Sequence, residues 1–283
     1  MCELFTFTVP TWLSRRLAER RQILRIQCNK KPPNPNFIEK ADFRNLIVVE
    51  ELKLVFCYIE KISCTTWKKV LYQAKNNGTA FDGKPHAREL FSWLSDYSPA
   101  KRKRILDTYY KAMFVREPFA RLLSGFKDRV QPRGNGYFRK YFHSITDKEL
   151  EKNSGFPLFV KFVLSYNHSS MPSMNPHWRS YEALCPCEVD YDFIGHFENL
   201  CQEASHLLKV IGVDHYVTFP EYHPSKSKPY LLEYYSKLTR EQIFKLQKCY
   251  ELDFKLFAYD FPGPLQAILD VKDASDEERR ERT

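Results

Sequence analysis

Leu54, Val55, Phe56, Tyr58 and Ile59 form an apolar run with β-branched and aromatic content, which predicts a strand across residues 52–60. Immediately after it, Trp67, Val70, Leu71 and Ala74 recur at i, i+3, i+4, i+7 with lysines between them, the spacing of an amphipathic helix. Lys61, Ile62, Ser63, Cys64, Thr65 and Thr66 connect the two, and Thr65 or Thr66 suits the helix N-cap. The same alternation returns at residues 109–115, a second buried strand. It precedes a helix whose apolar stripe is Phe119, Leu122, Leu123, Phe126 and Val130, with Pro118 in the first turn. A third strand is expected at residues 191–195, followed by a helix with Leu200, Ala204, Leu207, Leu208 and Ile211 on one side. Thr239 and Gln242 form a capping-box pair opening a long helix through Ile243, Leu246, Tyr250, Phe254 and Phe257. Strands alternating with helices predict an α/β fold, a parallel sheet flanked by helices within a single domain.

The strand–loop–helix unit around Lys61 has chemical consequences. It aims unpaired backbone N–H groups and a helix N-terminus at one point, an arrangement suited to phosphate or sulfate. Lys61 adds a mobile positive charge, and Ser63, Thr65 and Thr66 add short hydroxyl donors. On its own the segment reads more readily as an ordinary capped helix, and it lacks the glycines of a Walker A loop. Arg116 ends the second strand, at the side of open α/β sheets where ligands bind, and Ser124 follows two turns into the next helix. A guanidinium fork and a hydroxyl match phosphate oxygens.

These segments resemble the nucleotide-binding signatures of the Golgi carbohydrate sulfotransferases, in particular the chondroitin, dermatan and N-acetylgalactosamine 4-O-sulfotransferases. Residues 61–70 (KISCTTWKKV) resemble that family's loop for the 5′-phosphosulfate of 3′-phosphoadenosine 5′-phosphosulfate, and residues 114–124 (FVREPFARLLS) its 3′-phosphate motif. Residues 175–178, 184–187, 191–200 and 250–257 continue the likeness in the family's order, from about Leu46 to Phe261. The chain departs from the pattern at Glu60, where the family usually has proline, at Ser63, usually small and apolar, and at Thr66, usually asparagine.

The resemblance implies a P-loop nucleotide-kinase-like fold and an enzyme moving a sulfuryl group to a galactosamine-containing glycan, chondroitin- or dermatan-like, with O4 the expected position. The donor site it implies comprises Lys61, Ser63, Cys64, Thr65, Thr66, Trp67, Arg116, Glu117, Pro118, Phe119, Arg121 and Ser124, with no metal. Lys61 is expected to neutralise charge on the leaving phosphate. A histidine is expected to serve as base, His86 in preference to His177, both at positions where the family has histidine. A glycan-binding pseudoenzyme of the same fold is the alternative, and a nucleoside-phosphate kinase is disfavoured by the missing Walker A glycines.

Composition fits this picture. Hydrophobic residues at 43% and aromatics at 15% describe a globular protein, and a net charge of +9 calls for an acidic partner. Basic residues gather at residues 101–104 and at Arg129, Arg133, Arg139 and Lys140, suiting a groove for an acidic glycan. No RNA-binding signature, zinc-finger spacing or basic heptad region is present, so nucleic acid is not an expected partner. The eight cysteines lack metal-ligand spacing and can form disulfides in an oxidising compartment, with pairings that sequence leaves open. Asn77 and Asn167 open glycosylation tripeptides.

Members of the resembled family normally carry an N-terminal anchor and work in the Golgi. No stretch here approaches the roughly 20 apolar residues of a membrane helix, so membrane association is expected only through an anchor absent from this chain. Residues 1–40 read as a basic approach segment, with a short helix at 14–26 and a linker at 30–36. The catalytic body is expected over 41–264, and the charged tail, 265–283, is expected to be disordered.

Overall fold

The apolar residues from 46 to 57 fold back on themselves. Strands β1 (Leu46–Val49) and β2 (Leu54–Cys57) pair antiparallel, with Val49 opposite Leu54, around the 3-10 turn Glu50–Leu52. Lys53 closes that turn in the left-handed region at φ 46°. Strand β3 (Ser92–Trp93) joins β1 antiparallel. On the far side of β2, strands β4 (Tyr110–Val115) and β5 (Phe193–His196) add in parallel, giving the order β3-β1-β2-β4-β5. The sheet is therefore mixed and not all-parallel as expected. A four-residue connection can join only antiparallel neighbours, because a parallel pair needs a crossover of a dozen or more residues.

The computed structural model describes residues 11–32, 34–131, 155–165, 174–185, 187–221 and 227–281. Arg133, Arg139, Lys140 and the Asn167 tripeptide lie outside the described residues. In chain order the helices are α1 (Thr11–Cys28), α2 (Phe37–Lys40), α3 (Cys64–Lys75), α4 (Pro99–Thr108), α5 (Pro118–Arg129), α6 (Gly155–Ser165), α7 (Leu200–Val210), α8 (Ser227–Tyr235), α9 (Arg240–Cys249), α10 (Glu251–Leu256) and α11 (Gln266–Glu281). Within this α/β domain the described residues fall into two compact units, one in Met1–Arg116 and Tyr181–His223, the other in Glu117–Ser180 and Pro224–Thr283.

The first unit holds the sheet. All residues of β1, β2 and β5 are buried, as expected of strands covered on both faces. Helix α1 is an integral part of this unit and not an approach segment. Leu13, Leu17 and Leu24 are buried, and the Arg20 guanidinium donates to Glu203 Oε2 on α7 at 2.7 Å and to the Ile194 carbonyl at 3.0 Å. Glu203, wholly buried, also accepts from the His196 amide at 2.6 Å, so its charge is both paired and hydrogen-bonded. A disulfide between Cys28 and Cys187 fastens the end of α1. Gly195 sits opposite Phe114 in the ladder, and a Cβ there would lie 2.2 Å from the Phe114 ring.

The second unit is helical around one core, in which Phe119, Leu122, Phe126, Phe156, Phe159, Trp178, Tyr235, Ile243 and Leu246 are all essentially inaccessible. The Tyr250 hydroxyl donates to the Trp178 carbonyl at 2.6 Å and that of Tyr235 to the Phe119 carbonyl at 3.0 Å, so the buried phenols are satisfied. The capping box at Thr239 and Gln242 forms as read, each side chain bonding the other's backbone N–H. The expected single long helix divides at Tyr250 into α9 and α10. Beyond it, α11 occupies the stretch where disorder was expected. Ile268 and Leu269 are buried and anchor its first turns, the tertiary packing that most helices depend on.

Candidate functional site

β2 and β4 are parallel neighbours, with Cys57 opposite Met113, so their C-terminal ends open on the same edge of the sheet. The loop after β2 and the residue after β4 therefore emerge side by side. In the first loop, Lys61 and Ser63 both adopt left-handed backbone, at φ 72° and 53°, on either side of the buried Ile62. Nucleotide-binding loops commonly place glycine in such conformations. Here ordinary residues hold them, at about 1–3 kcal/mol each by general expectation, and the anchored Ile62 side chain keeps the turn closed.

This geometry starts α3 at Cys64, so Ser63 and not Thr65 or Thr66 takes the N-cap position, without a side-chain capping bond. The Trp67 amide donates to the Ser63 carbonyl at 2.9 Å as the first turn closes. The amides of Cys64, Thr65 and Thr66 precede that bond and point out of the helix N-terminus. The hydroxyls of Ser63 and Thr66 make no hydrogen bond among the described residues. Trp67 belongs to a different environment from the expected donor site. Its indole is 1% exposed against Phe56, Phe114 and Phe219, and with its amide bonded within the helix, it is a core residue.

Arg116, 6% exposed, donates from Nη1 to the Lys61 carbonyl at 3.2 Å, and its guanidinium lies 4.3 Å from the centre of the Phe197 ring. Its backbone is held by Tyr181, whose hydroxyl accepts from the Arg116 amide at 3.0 Å and donates to the Arg116 carbonyl at 2.5 Å. Sequence reasoning missed Tyr181; nothing in its local pattern connects it to a residue 65 positions away. Four residues on, Cys185 is joined to Cys57 at the end of β2.

His86 reaches the same loop, its Nε2 standing 3.0 Å from Thr65 Oγ1 in the first turn of α3, and it is exposed. Lys61, Ser63, Cys64, Thr65, Thr66, His86 and Arg116 thus share one site in the first unit. His177 lies in the second. Arg129 Nε donates to its Nε2 at 2.7 Å and Asn175 Oδ1 is 2.7 Å from its Nδ1. Since arginine is always a donor, the Nε2 lone pair is taken, which makes His177 a poor proton acceptor.

Other residues of the second motif have structural duties. The Glu117 carboxylate caps α5, accepting from the amides of Phe119 and Ala120 at 3.0 and 2.6 Å, so the helix N-terminus already holds an anion. Pro118 opens the helix and Phe119 is core. The Arg121 guanidinium, 2% exposed, donates to the carbonyls of Arg179 and Pro176 at 2.6 and 2.7 Å. Ser124 is half-buried on α5, and its hydroxyl makes no hydrogen bond among the described residues.

Glu60 is buried at 8% exposure and accepts from the Tyr58 hydroxyl at 2.9 Å. It faces a buried lysine: Lys68 Nζ stands 4.0 Å from the centre of the Tyr58 ring and 5.2 Å from that of Trp93. Burial pushes the Lys68 ammonium pKa down, with Cys64 and Glu60 opposing. Burial, and then the Glu60 charge, push the Cys64 thiol pKa up. The Glu60 carboxylate and the Lys68 ammonium are thus both buried and close enough to influence each other.

A lysine loop and an arginine emerge at adjoining ends of two parallel strands of an α/β domain, an arrangement suited to an anionic ligand. Residues 44–260 match the Sulfotransferase family, and the chain belongs to that family. Carbohydrate sulfotransferase 11 of Rattus norvegicus is 28% identical over 245 residues, 80% of this chain and 70% of its own. Carbohydrate sulfotransferase 10 of Gallus gallus is 30% identical over 269 residues, 86% of this chain and 75% of its own. Carbohydrate sulfotransferase 14 of Danio rerio is 33% identical over 240 residues, 79% of this chain and 64% of its own. No solved structure matches. The protein is a sulfotransferase.

Proposed function

We propose that this sulfotransferase moves a sulfuryl group from 3′-phosphoadenosine 5′-phosphosulfate to a hydroxyl of a galactosamine-containing, chondroitin- or dermatan-like glycan, at O4. The observation that carries the reading is the convergence of Lys61, the α3 N-terminus and Arg116 on one edge of the sheet. The sugar-directed part follows from the similarity to carbohydrate sulfotransferases 10, 11 and 14.

In this reaction the sugar oxygen attacks sulfur as the bond from sulfur to the 5′-phosphate oxygen breaks in line. The work is positioning and charge stabilisation, as in phosphoryl transfer. Lys61 and the amides of Cys64, Thr65 and Thr66 hold the 5′-phosphate and take up the charge growing on its oxygen. Arg116 serves the 3′-phosphate. His86 takes the hydroxyl proton. The disulfides Cys28–Cys187 and Cys57–Cys185 and the exposed Asn77 tripeptide support a secretory setting, the Golgi lumen, for a glycoprotein. No helix among the described residues is long and apolar enough to cross a membrane.

Incubation with labelled donor and a panel of desulfated glycosaminoglycans, followed by disaccharide analysis, tests the reading. It predicts label on O4 of galactosamine in chondroitin or dermatan. Label confined to glucosamine or uronic acid units would overturn the acceptor assignment, and no label on any glycan would overturn the reading as a whole.

A further inference from the structure

The ladder that aligns the two donor-binding segments stops short of them. Its last pair between β2 and β4 is Cys57 with Met113, and between β4 and β5 it is Val115 with His196. Arg116 lies one residue past that point, and Lys61 four residues past Cys57. Residues this far beyond a sheet need other partners for their backbone polar groups. Tyr181, wholly buried, supplies them to Arg116, accepting from its N–H and donating to its C=O.

The same turn reaches the other strand. The amides of Leu184 and Cys185 both donate to the Tyr181 carbonyl, at 3.0 and 2.7 Å, closing a tight loop. Cys185 is bonded to Cys57, the last residue of β2, with a Cα–Cα separation of 6.0 Å. One short turn is therefore joined through a phenol to the end of β4 and through a disulfide to the end of β2.

We infer that the turn of residues 181–185 is a clamp that fixes the spacing between the two anion grips, and that Tyr181 is a positioning residue acting through Arg116. A ligand holding phosphates at both ends depends on that spacing. One with a single phosphate at the Lys61 loop does not. This inference rests on the assignment of Arg116 to the 3′-phosphate, and the ligands below separate the two ideas.

The experiment is calorimetry with adenosine 3′,5′-bisphosphate and with adenosine 5′-monophosphate, which lacks the 3′-phosphate. Each is titrated into the parent, into Tyr181→Phe, and into the paired variant Cys57→Ala/Cys185→Ala, with thermal melting to verify folding. The expected result is a loss of about tenfold in bisphosphate affinity in each variant, with monophosphate affinity unchanged; for Tyr181→Phe this is the scale of leaving one buried polar pair unsatisfied. Equal loss for both nucleotides, or no loss for either, overturns the clamp and leaves the turn a purely structural feature. A parent that binds the two nucleotides equally overturns the 3′-phosphate assignment itself.

Discussion

The Arg116 guanidinium donates to the Lys61 carbonyl oxygen at 3.2 Å, so the two cations of the site are mechanically connected before any ligand arrives. Arg116→Ala should therefore damage more than one phosphate contact. It releases the loop that carries Lys61, and turnover should fall together with donor affinity. In a double-mutant cycle with Lys61→Ala, the coupling in kcat/KM should be about 0.5–3 kcal/mol, as for residues in direct contact. Additive losses would show that the bond does not transmit between them. Arg116→Lys, which keeps the charge without the planar fork, should recover little.

Gly195 has no room for a side chain. A Cβ would stand 2.2 Å from the Phe114 ring, in the middle of a buried strand pair. Gly195→Ala should destabilise the fold by about 1–3 kcal/mol, the usual range for overpacking. Denaturant unfolding checks this, and an unchanged midpoint would mean that Phe114 has another rotamer available.

Arg20 and Glu203 are both buried, and they tie the N-terminal helix to the sheet unit. Arg20→Met keeps bulk but removes the closer of two cationic partners of the buried Glu203 carboxylate and leaves only Arg16 Nη1 at 3.8 Å, at a cost of up to about 3–5 kcal/mol. The double variant Arg20→Met/Glu203→Leu should recover much of that loss in thermal or chemical unfolding. Absence of recovery would indicate that the bonds to the Ile194 carbonyl and the His196 amide dominate.

Cys64, a free thiol, begins α3, and its pKa is raised first by burial and second by Glu60. A neighbouring carboxylate disfavours the thiolate, so Glu60→Gln removes one of the two causes and the pKa falls. At pH 8 the variant should carry more thiolate and label faster with iodoacetamide, followed by peptide mapping at Cys64. Slower labelling would place the Glu60 charge away from the thiol.

A pH–rate profile tests the base. His86 stands against Thr65 in the first turn of α3, whereas both ring nitrogens of His177 are engaged within the second unit. His86→Ala should lose the acid limb of the parent profile, a fall in rate of about 10²–10⁴-fold as is typical of a general base. His177→Ala should keep that limb.

The elements that were legible in sequence are those whose patterns are local. The stripe from Phe119 to Phe126 gave α5, the alternation around residues 54–57 gave β2, and the Thr239/Gln242 pair gave the start of α9. The mixed sheet was not legible, because β1 continues the apolar run of β2 and only the 3-10 turn at Glu50–Leu52 separates them. Within the site, Lys61 and Arg116 were readable as motif residues, but their neighbours were not sorted. Trp67, Glu117, Phe119 and Arg121 share the motifs because they build the elements, through core packing, a helix cap and two carbonyl bonds. Tyr181 and the Cys57–Cys185 bond were out of reach because they arise from contacts 65 and 128 residues apart.

The account depends most directly on one doubly phosphorylated nucleotide being held from two sides. Calorimetric titration of adenosine 3′,5′-bisphosphate into the parent, Lys61→Ala and Arg116→Ala measures this. The parent should bind, and each substitution should weaken binding by about 10- to 100-fold, the loss of one charge-assisted contact of about 1.5–3 kcal/mol. Unaltered affinity in both variants, or a parent that does not bind, would contradict it.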